Sequence, residues 1–427
     1  MFLHFIQKKG WIGVTSEWGD GDKSYLLNST KNFTGNYFND FLEPLFYNAL
    51  NAKRDNDEYL GKKIPFLNGG LFQAIENYDW ENTDFEIPND FWFNDKETGL
   101  LNVLSQYNFT VDEADPEEQE VAIDPEMLGK IFESLLDTND RSSLGAFYTP
   151  REIVHFMCEE SLAARLAKML NLDYDSILNY VRYGDALKET DFIKGLAEDI
   201  DECVSEFTIV DPAVGSGAFL VGMLNQIVKL RTNLLELTNK KIDKYEIKLQ
   251  TIQNSLYGVD LEYDAVEIAK LRLFLKMVAV VEVDKRAPNL GLDPLPGIDF
   301  NIRCGNTFVG YATQQELERD LVEGDMFARE EFKTKVNDEM DKVAHTYEIF
   351  KNVQLRQTED MAAFKDAKHE LTKRLNGLND LLNHKMYGAV ESTNGYDAWY
   401  QSHQPFHWLA EFYEIINEHG GFDVIIG

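Results

Sequence analysis

The stretch TIVDPAVGSGAFLVGML, Thr208 to Leu224, runs from a β-branched segment through an acidic residue and a glycine turn into an apolar, helix-like pattern. Gly215 and Gly217 allow the backbone to pass close to a ligand at the end of a strand, and the helix that follows offers free N–H groups. The pattern is that of a cofactor loop. Glycine turns of this kind serve nucleotides, dinucleotides and S-adenosylmethionine alike, so the neighbours must discriminate. A dinucleotide fingerprint wants a third glycine three residues after the second, where this chain has Leu220, and the Gly-Lys-Ser/Thr ending of a phosphate loop is absent. Asp211, just before the glycines, is poorly placed for a pyrophosphate but well placed to attract the ammonium of a methionine moiety.

A second acid completes the constellation. In LYGVDLEYDAVEIAKLRL, Asp260 falls at the C-terminal end of the next expected strand, where a carboxylate can accept hydrogen bonds from both hydroxyls of a ribose. It follows Asp211 by 49 residues, longer than a standard crossover; a charged helical stretch from Leu230 to Leu249 accounts for the excess.

Other chemistry finds little support. The eight histidines show no HExxH or clustered metal spacing, and His403 and His407, four apart, have no third ligand, which favours a surface or packing role. Glu246, Ile247 and Lys248 fit the tail of a nuclease Glu-x-Lys pattern but sit in a helix-like charged stretch. Cys158, Cys203 and Cys304 form no CxxC pair and read as buried small hydrophobes.

The elements that must position these residues follow from pattern. Short β-rich runs at Phe207 to Val210, Ser255 to Val259, Asn301 to Cys304 and Phe422 to Ile426 alternate with long helices, the signature of a parallel sheet wrapped by crossovers. Between the third and fourth runs, about 314–383 is charged and nearly proline-free. Leu371, Leu375, Leu378 and Leu382 give it a helical seam, so a helical insertion is expected. Upstream, Tyr37 to Leu50 carries an aromatic stripe at helical spacing, and Asp124-Pro125 marks a helix start. Thr149, Pro150 and Glu152 form a capping box ahead of Ile153 and Val154. The expected division is a helical domain over 1–140 and an α/β domain over 141–427.

The 427 residues suffice for two or three domains, and 44% hydrophobic content with 12% aromatics excludes wholesale disorder. No apolar stretch is long enough for a membrane helix and no signal peptide is evident, so a cytoplasmic location is expected. A net charge of −33, with seven carboxylates and no base from Asp112 to Asp124, argues against a broad phosphate-gripping surface on these residues.

The motifs GAFYTPREIVHFM, DPAVGSGAFL, YGVDLEYDAVEIAKLRL, IRCGNTF and GGFDVIIG, in this order, resemble those of adenine-N6 DNA methyltransferases of the gamma arrangement. The likeness is greatest to the modification part of type IIG restriction-modification enzymes. Earlier stretches such as FIQKKGW and IPFLNGGLF are similar to the helical region preceding that core, so the resemblance covers nearly the whole chain. It implies an incomplete Rossmann-like, S-adenosylmethionine-dependent core behind a mainly helical domain. It also implies cofactor contacts from Phe147 and Thr149, from Asp211, Ala213, Gly215 and Gly217, and from Asp260 and Leu261. Asn306 and Thr307 would face the cofactor's adenine, with asparagine standing where many relatives carry aspartate.

In that family a strand like FDVIIG leads into Asn-Pro-Pro-Tyr, which holds the flipped adenine. This chain stops at Gly427, so the resemblance implies a fragment carrying the cofactor half, with no catalytic residue of its own. The expected partner is double-stranded DNA, gripped through the complete protein and only weakly by these residues, in a bacterial defence system. A methyltransferase acting on a protein amide and a non-catalytic assembly module are the alternatives. The long helical N-terminal region and GAFYTP speak for DNA.

Overall fold

The computed structural model describes residues 1–427 except 16, 19–20, 55–56, 68–71, 73–77, 110–121, 124–128, 130–148, 188–190, 294, 322–325, 355–360 and 389–394. The acidic run, most of the helix expected after Asp124-Pro125 and Phe147 lie outside the described residues. Two compact units are present: Met1–Ser143 with Leu271–Ile298, and Leu144–Lys270 with Asp299–Gly427.

The first unit is built of short helices around aromatic packing. The stripe from Tyr37 forms two short π-helical segments, Phe38–Leu42 and Leu45–Leu50, and buries Tyr37, Phe41, Leu42, Leu45 and Leu50. Tyr37 stacks on Phe41 with ring centroids 5.1 Å apart, so the stripe is core. Asn289 ties the returning segment into this unit: its amide group exchanges hydrogen bonds with both backbone groups of Phe66, at 2.6 and 2.9 Å.

The second unit opens with three helices, α1 (Arg151–Leu170), α2 (Tyr174–Leu187) and α3 (Asp191–Ser205). Then come β1 (Ile209–Asp211), α4 (Ala218–Leu237), α5 (Lys244–Asn254), β2 (Leu256–Asp260), α6 (Tyr263–Val280, which crosses the boundary between units after Lys270) and β3 (Ile302–Cys304). The helical insertion follows as α7 (Gln314–Asp320), α8 (Met326–Gln354) and α9 (Met361–Gly388). The chain finishes with α10 (Tyr396–His403), α11 (Trp408–Glu411) and β4 (Val424–Ile425).

The four strands form one parallel sheet in the order β3-β2-β1-β4. Ile209 and Val210 of β1 are buried on both sides, as a central parallel strand requires. The chain builds outward from β1 through β2 to β3 and then places β4 on the other side of β1. The crevice beyond the C-terminal ends of β1 and β4 is therefore a topological switch point. All four strands fall within two residues of their expected positions.

The crossover from β1 to β2 holds two helices, which explains the long interval between Asp211 and Asp260. Against α4, helix α1 packs at Gly222, where a Cβ would lie 2.5 Å from Val154 Cγ1. The insertion is a helical hairpin with Leu371, Leu375, Leu378 and Leu382 all buried. A charged cluster anchors it: Lys270 and Lys368 take the two carboxylate oxygens of Asp299 at 3.1 and 2.6 Å, holding that carboxyl down at about 2 despite its burial.

Two local expectations are corrected. Helix α1 begins at Arg151 with Pro150 in the capping position, its ψ of 141° extended, and no side chain caps the helix. The capping box is not formed, because the non-helical proline sets Thr149 one residue too far out. Cys158 and Cys203 are buried as expected, but Cys304 is exposed, since it ends β3 at the open edge of the sheet.

Candidate cofactor site

The C-terminal ends of β1 and β2 bring Asp211 and Asp260 to the glycine turn. Asp211 is 1% exposed; its Oδ1 accepts the Ala213 N–H at 3.0 Å, and its Oδ2 is buried with no hydrogen-bond partner among the described residues. Burial pushes this carboxyl up to about 7, opposed by the Ala213 hydrogen bond and reinforced by the charge of Asp260. A buried carboxylate with an uncommitted oxygen can receive a ligand ammonium, which would restore its ordinary acidity.

Asp260 does more than its sequence position implies. Its Oδ2 accepts the Gly215 N–H at 2.8 Å and its Oδ1 the Glu262 N–H at 2.9 Å. Each oxygen keeps a lone pair for a further donor such as a ribose hydroxyl. Val214 donates to the Val259 carbonyl at 2.9 Å, so β2 grips the turn by both backbone and side chain.

The two glycines have different reasons to be there. Both lie in the left-handed region, Gly215 at φ +49° and Gly217 at φ +84°. A Cβ on Gly217 would meet the Ala269 Cβ at 3.0 Å, whereas a Cβ on Gly215 would meet nothing within 4 Å. Gly217 packs the turn on α6; Gly215 borders open space. Helix α4 starts at Ala218 without a side-chain cap, leaving its first amides to a ligand or solvent.

The remaining expected residues are placed as follows. Leu261, 38% exposed, flanks Asp260. Beyond β3, Asn306 donates its backbone N–H to the Gln404 carbonyl at 2.7 Å, while its side-chain oxygen accepts the Phe308 N–H at 3.1 Å. The Thr307 carbonyl accepts the Trp408 indole N–H at 3.2 Å. The Asn306 oxygen thus shapes its own loop and has one lone pair left. Thr149 is half-buried ahead of α1, and no hydrogen bond joins it to the turn. At the end of β4, Gly427 abuts Asp211; a Cβ there would lie 3.0 Å from Asp211 Oδ1.

Among the described residues no group of His, Cys, Asp or Glu could hold a metal ion. His407 is buried and structural: its Nδ1 accepts the Tyr311 N–H at 3.0 Å, and its Nε2 donates to the Asn383 side-chain oxygen at 2.9 Å. Neither the Asp260–Gly215 clamp nor this histidine bridge has a local sequence signal.

Comparison with known proteins bears on the same residues. Residues 187–317, which include the glycine turn, Asp260 and Asn306, match the family model described as MmeI, DNA-methyltransferase domain. Residues 254–427 match that of the Eco57I restriction-modification methylase. A Methanocaldococcus jannaschii protein, itself provisionally assigned as a type II restriction enzyme and methyltransferase, is 32% identical over 337 residues, 73% of this chain and 27% of the relative. DNA methyltransferase A of Bacillus subtilis is 22% identical over 284 residues, 66% of this chain and 28% of the relative. The solved structure of the type IIL restriction-modification enzyme MmeI in complex with DNA is similar at 18% identity and a TM-score of 0.42, over 64% of this chain and 31% of that one. That last likeness is too loose to carry weight.

The chain thus spans little more than a quarter of the length of the curated relatives it matches. Both family models and both curated relatives are described as methylases or methyltransferases. Among the described residues no helix is long and apolar enough to cross a membrane.

Proposed function

We propose that this chain carries the cofactor half of an S-adenosylmethionine-dependent methyltransferase that acts on adenine N6 in DNA, as in type IIG restriction-modification enzymes. The observation that carries the reading is the buried Asp211 with its uncommitted oxygen, set beside a glycine turn clamped by Asp260. The cofactor, when bound, supplies an electrophilic methyl group on a sulfonium. Asp211 Oδ2 would hold the ammonium of its methionine end, and the turn at Ala213, Gly215 and Gly217 would let that end approach the backbone. Asp260 would take the ribose hydroxyls. Leu261, Asn306 and Thr307 would border the adenine, with Phe147 and Thr149 assigned from the family pattern alone.

Double-stranded DNA is the proposed substrate of the whole protein, in the cytoplasm of a bacterial or archaeal host. With a net charge of −33, these residues by themselves would bind it weakly and without sequence preference. They contain no Asn-Pro-Pro-Tyr, so the proposal assigns them cofactor binding without methyl transfer. Calorimetric titration with S-adenosylhomocysteine tests the reading. Saturable binding lost in Asp211→Ala supports it; a folded sample giving no heat at millimolar ligand overturns it. Incorporation of labelled methyl into duplex DNA by the 427 residues alone would overturn the division of labour but not the cofactor site.

A further inference from the structure

The loop after β3, from Gly305 to Tyr311, is held from outside itself. A returning segment, Gln404 to Trp408, meets it along its length: the Asn306 N–H reaches the Gln404 carbonyl at 2.7 Å, and the Phe406 N–H reaches the Val309 carbonyl at 2.7 Å. The Trp408 indole N–H donates to the Thr307 carbonyl at 3.2 Å, and the Tyr311 N–H donates to His407 Nδ1 at 3.0 Å. The fit leaves no slack. A Cβ on Gly310 would lie 2.0 Å from the Phe406 carbonyl oxygen, and one on Gly305 would lie 2.9 Å from the Phe406 ring. Phe308, at the tip, is 97% exposed, so its ring gives the loop no core of its own.

Both sides of this arrangement lead further. Gly305 donates its N–H to the Asp260 carbonyl at 2.8 Å, which ties the loop to the residue proposed to hold the ribose. On the other side, His407 Nε2 donates to the Asn383 side-chain oxygen of α9 at 2.9 Å, and Leu409 and Ala410 belong to the apolar core of the hairpin. The loop is suspended between the cofactor site and the insertion. Asn306 makes that suspension matter, because an asparagine amide accepts through its oxygen or, turned over, donates through its nitrogen. In the held loop the oxygen already takes the Phe308 N–H at 3.1 Å, which fixes the amide one way round.

We infer that Trp408 and His407 are positioning residues for the cofactor's base: through the Thr307 carbonyl and the Tyr311 amide they hold the loop in which the Asn306 oxygen is the acceptor for an exocyclic amino group. The inference rests on the S-adenosylmethionine reading and adds to it the part played by the hairpin. A held oxygen accepts an amino group and repels a carbonyl at the same place on the purine. With its anchors removed, the loop no longer fixes the amide, which can turn to meet either group. Selection for adenine then falls even where the cofactor still binds.

The test is calorimetric titration of the 427-residue chain with S-adenosylhomocysteine and S-inosylhomocysteine, whose bases carry an amino group and a carbonyl at the same position. The wild-type chain is expected to prefer the adenosyl ligand by about tenfold or more. Trp408→Phe keeps a ring beside Phe406 and Phe412 but loses the N–H, and should cut the preference to about threefold or less. Asn383→Ala, which frees His407 from α9, should do the same; Trp408→Phe decides where Asn383→Ala loses helical circular dichroism. Leu166→Ala, buried in α1 away from the loop, should lower the melting temperature and leave the preference intact, which separates positioning from general stability. In the ligand-free chain, hydrogen exchange of the peptide from Asn306 to Tyr311 should quicken in both loop variants and not in Leu166→Ala. A folded wild-type chain that binds neither ligand overturns the cofactor reading and this inference with it. Binding without preference in the wild type, full preference in a folded Trp408→Phe, an equal loss of preference in Leu166→Ala, or unchanged exchange in the loop variants overturns this inference alone.

Discussion

Asp260 holds the glycine turn in place from the neighbouring strand, accepting the Gly215 N–H at 2.8 Å. The same carboxylate accepts the Glu262 N–H, so one side chain fixes the start of α6 and the middle of the turn together. A residue expected only to meet a ribose is also part of the scaffold that shapes the site.

Asp260→Ala should therefore weaken S-adenosylhomocysteine by about 1–3 kcal/mol and also loosen the free turn. Hydrogen exchange of the peptide spanning Gly215 separates the two effects: faster exchange without ligand marks loss of the clamp. Asp260→Asn, which keeps one acceptor oxygen, should fall between wild type and alanine. Unchanged exchange in Asp260→Ala would show that the turn stands without it.

Asp211 gives a pH dependence with a definite sign. Its carboxyl titrates at about 7 in the folded chain, against an ordinary 3.8, because burial disfavours the charge. The native state therefore keeps a proton that the unfolded state loses between these values, and stability falls as pH rises from about 4 to about 7. Asp211→Asn should raise the melting temperature at pH 8, by an amount reflecting a few kcal/mol, and barely alter it at pH 4. Ligand affinity should run the other way: it falls as pH drops below 7, because the ammonium needs the ionised carboxylate. Thermal melts and titrations at pH 5, 6, 7 and 8 check both signs.

The glycines should separate stability from binding. Gly217→Ala places a methyl against Ala269 in a left-handed backbone conformation and should destabilise the fold by about 1–2 kcal/mol or more. Gly215→Ala meets no protein atom, so its folding penalty is confined to the backbone, yet its methyl projects into the space proposed for the cofactor. Comparable stability loss with intact ligand binding in Gly215→Ala would place the cofactor elsewhere.

His407 should make hairpin docking sensitive to acid. Burial lowers its titration to about 4, below the ordinary 6.5, and its Nδ1 must stay unprotonated to accept the Tyr311 N–H. The stability it supports is full above pH 6.5 and is eroded as pH falls toward 4, by up to about 3 kcal/mol. Hydrogen exchange in α9, which carries its partner Asn383, should rise over that window. Equal protection of α9 at pH 7 and pH 4.5 would contradict this.

The features legible in sequence are those with a period or a local rule. The four strands appear as short β-branched runs, the hairpin as a leucine seam, and the glycine turn as a motif whose residues must be contiguous to work. What sequence hides is pairing across space. Nothing near Gly215 announces that its N–H meets a side chain 45 residues away, and nothing near His407 names Asn383. Cys304 looked like its two buried counterparts because composition does not reveal which strand ends at an open edge. Thr149 obeyed a local rule that the conformation of Pro150 overrode.

Strand β4 reaches its place beside β1 across 215 residues of chain, where the Asp423 carboxylate takes the backbone and hydroxyl donors of Thr208. Most other pairings of the second unit are closer in sequence, and the long α8–α9 hairpin can zip from its own neighbours. Within the second unit, docking of β4 is thus the strand pairing with the greatest loop-closure entropy and a natural late event on the folding route. Until it happens, Ile209 and Val210 form a raw, apolar strand edge to which a second nascent chain can add. The switch-point crevice that shelters Asp211 is then complete only once β4 has paired with β1.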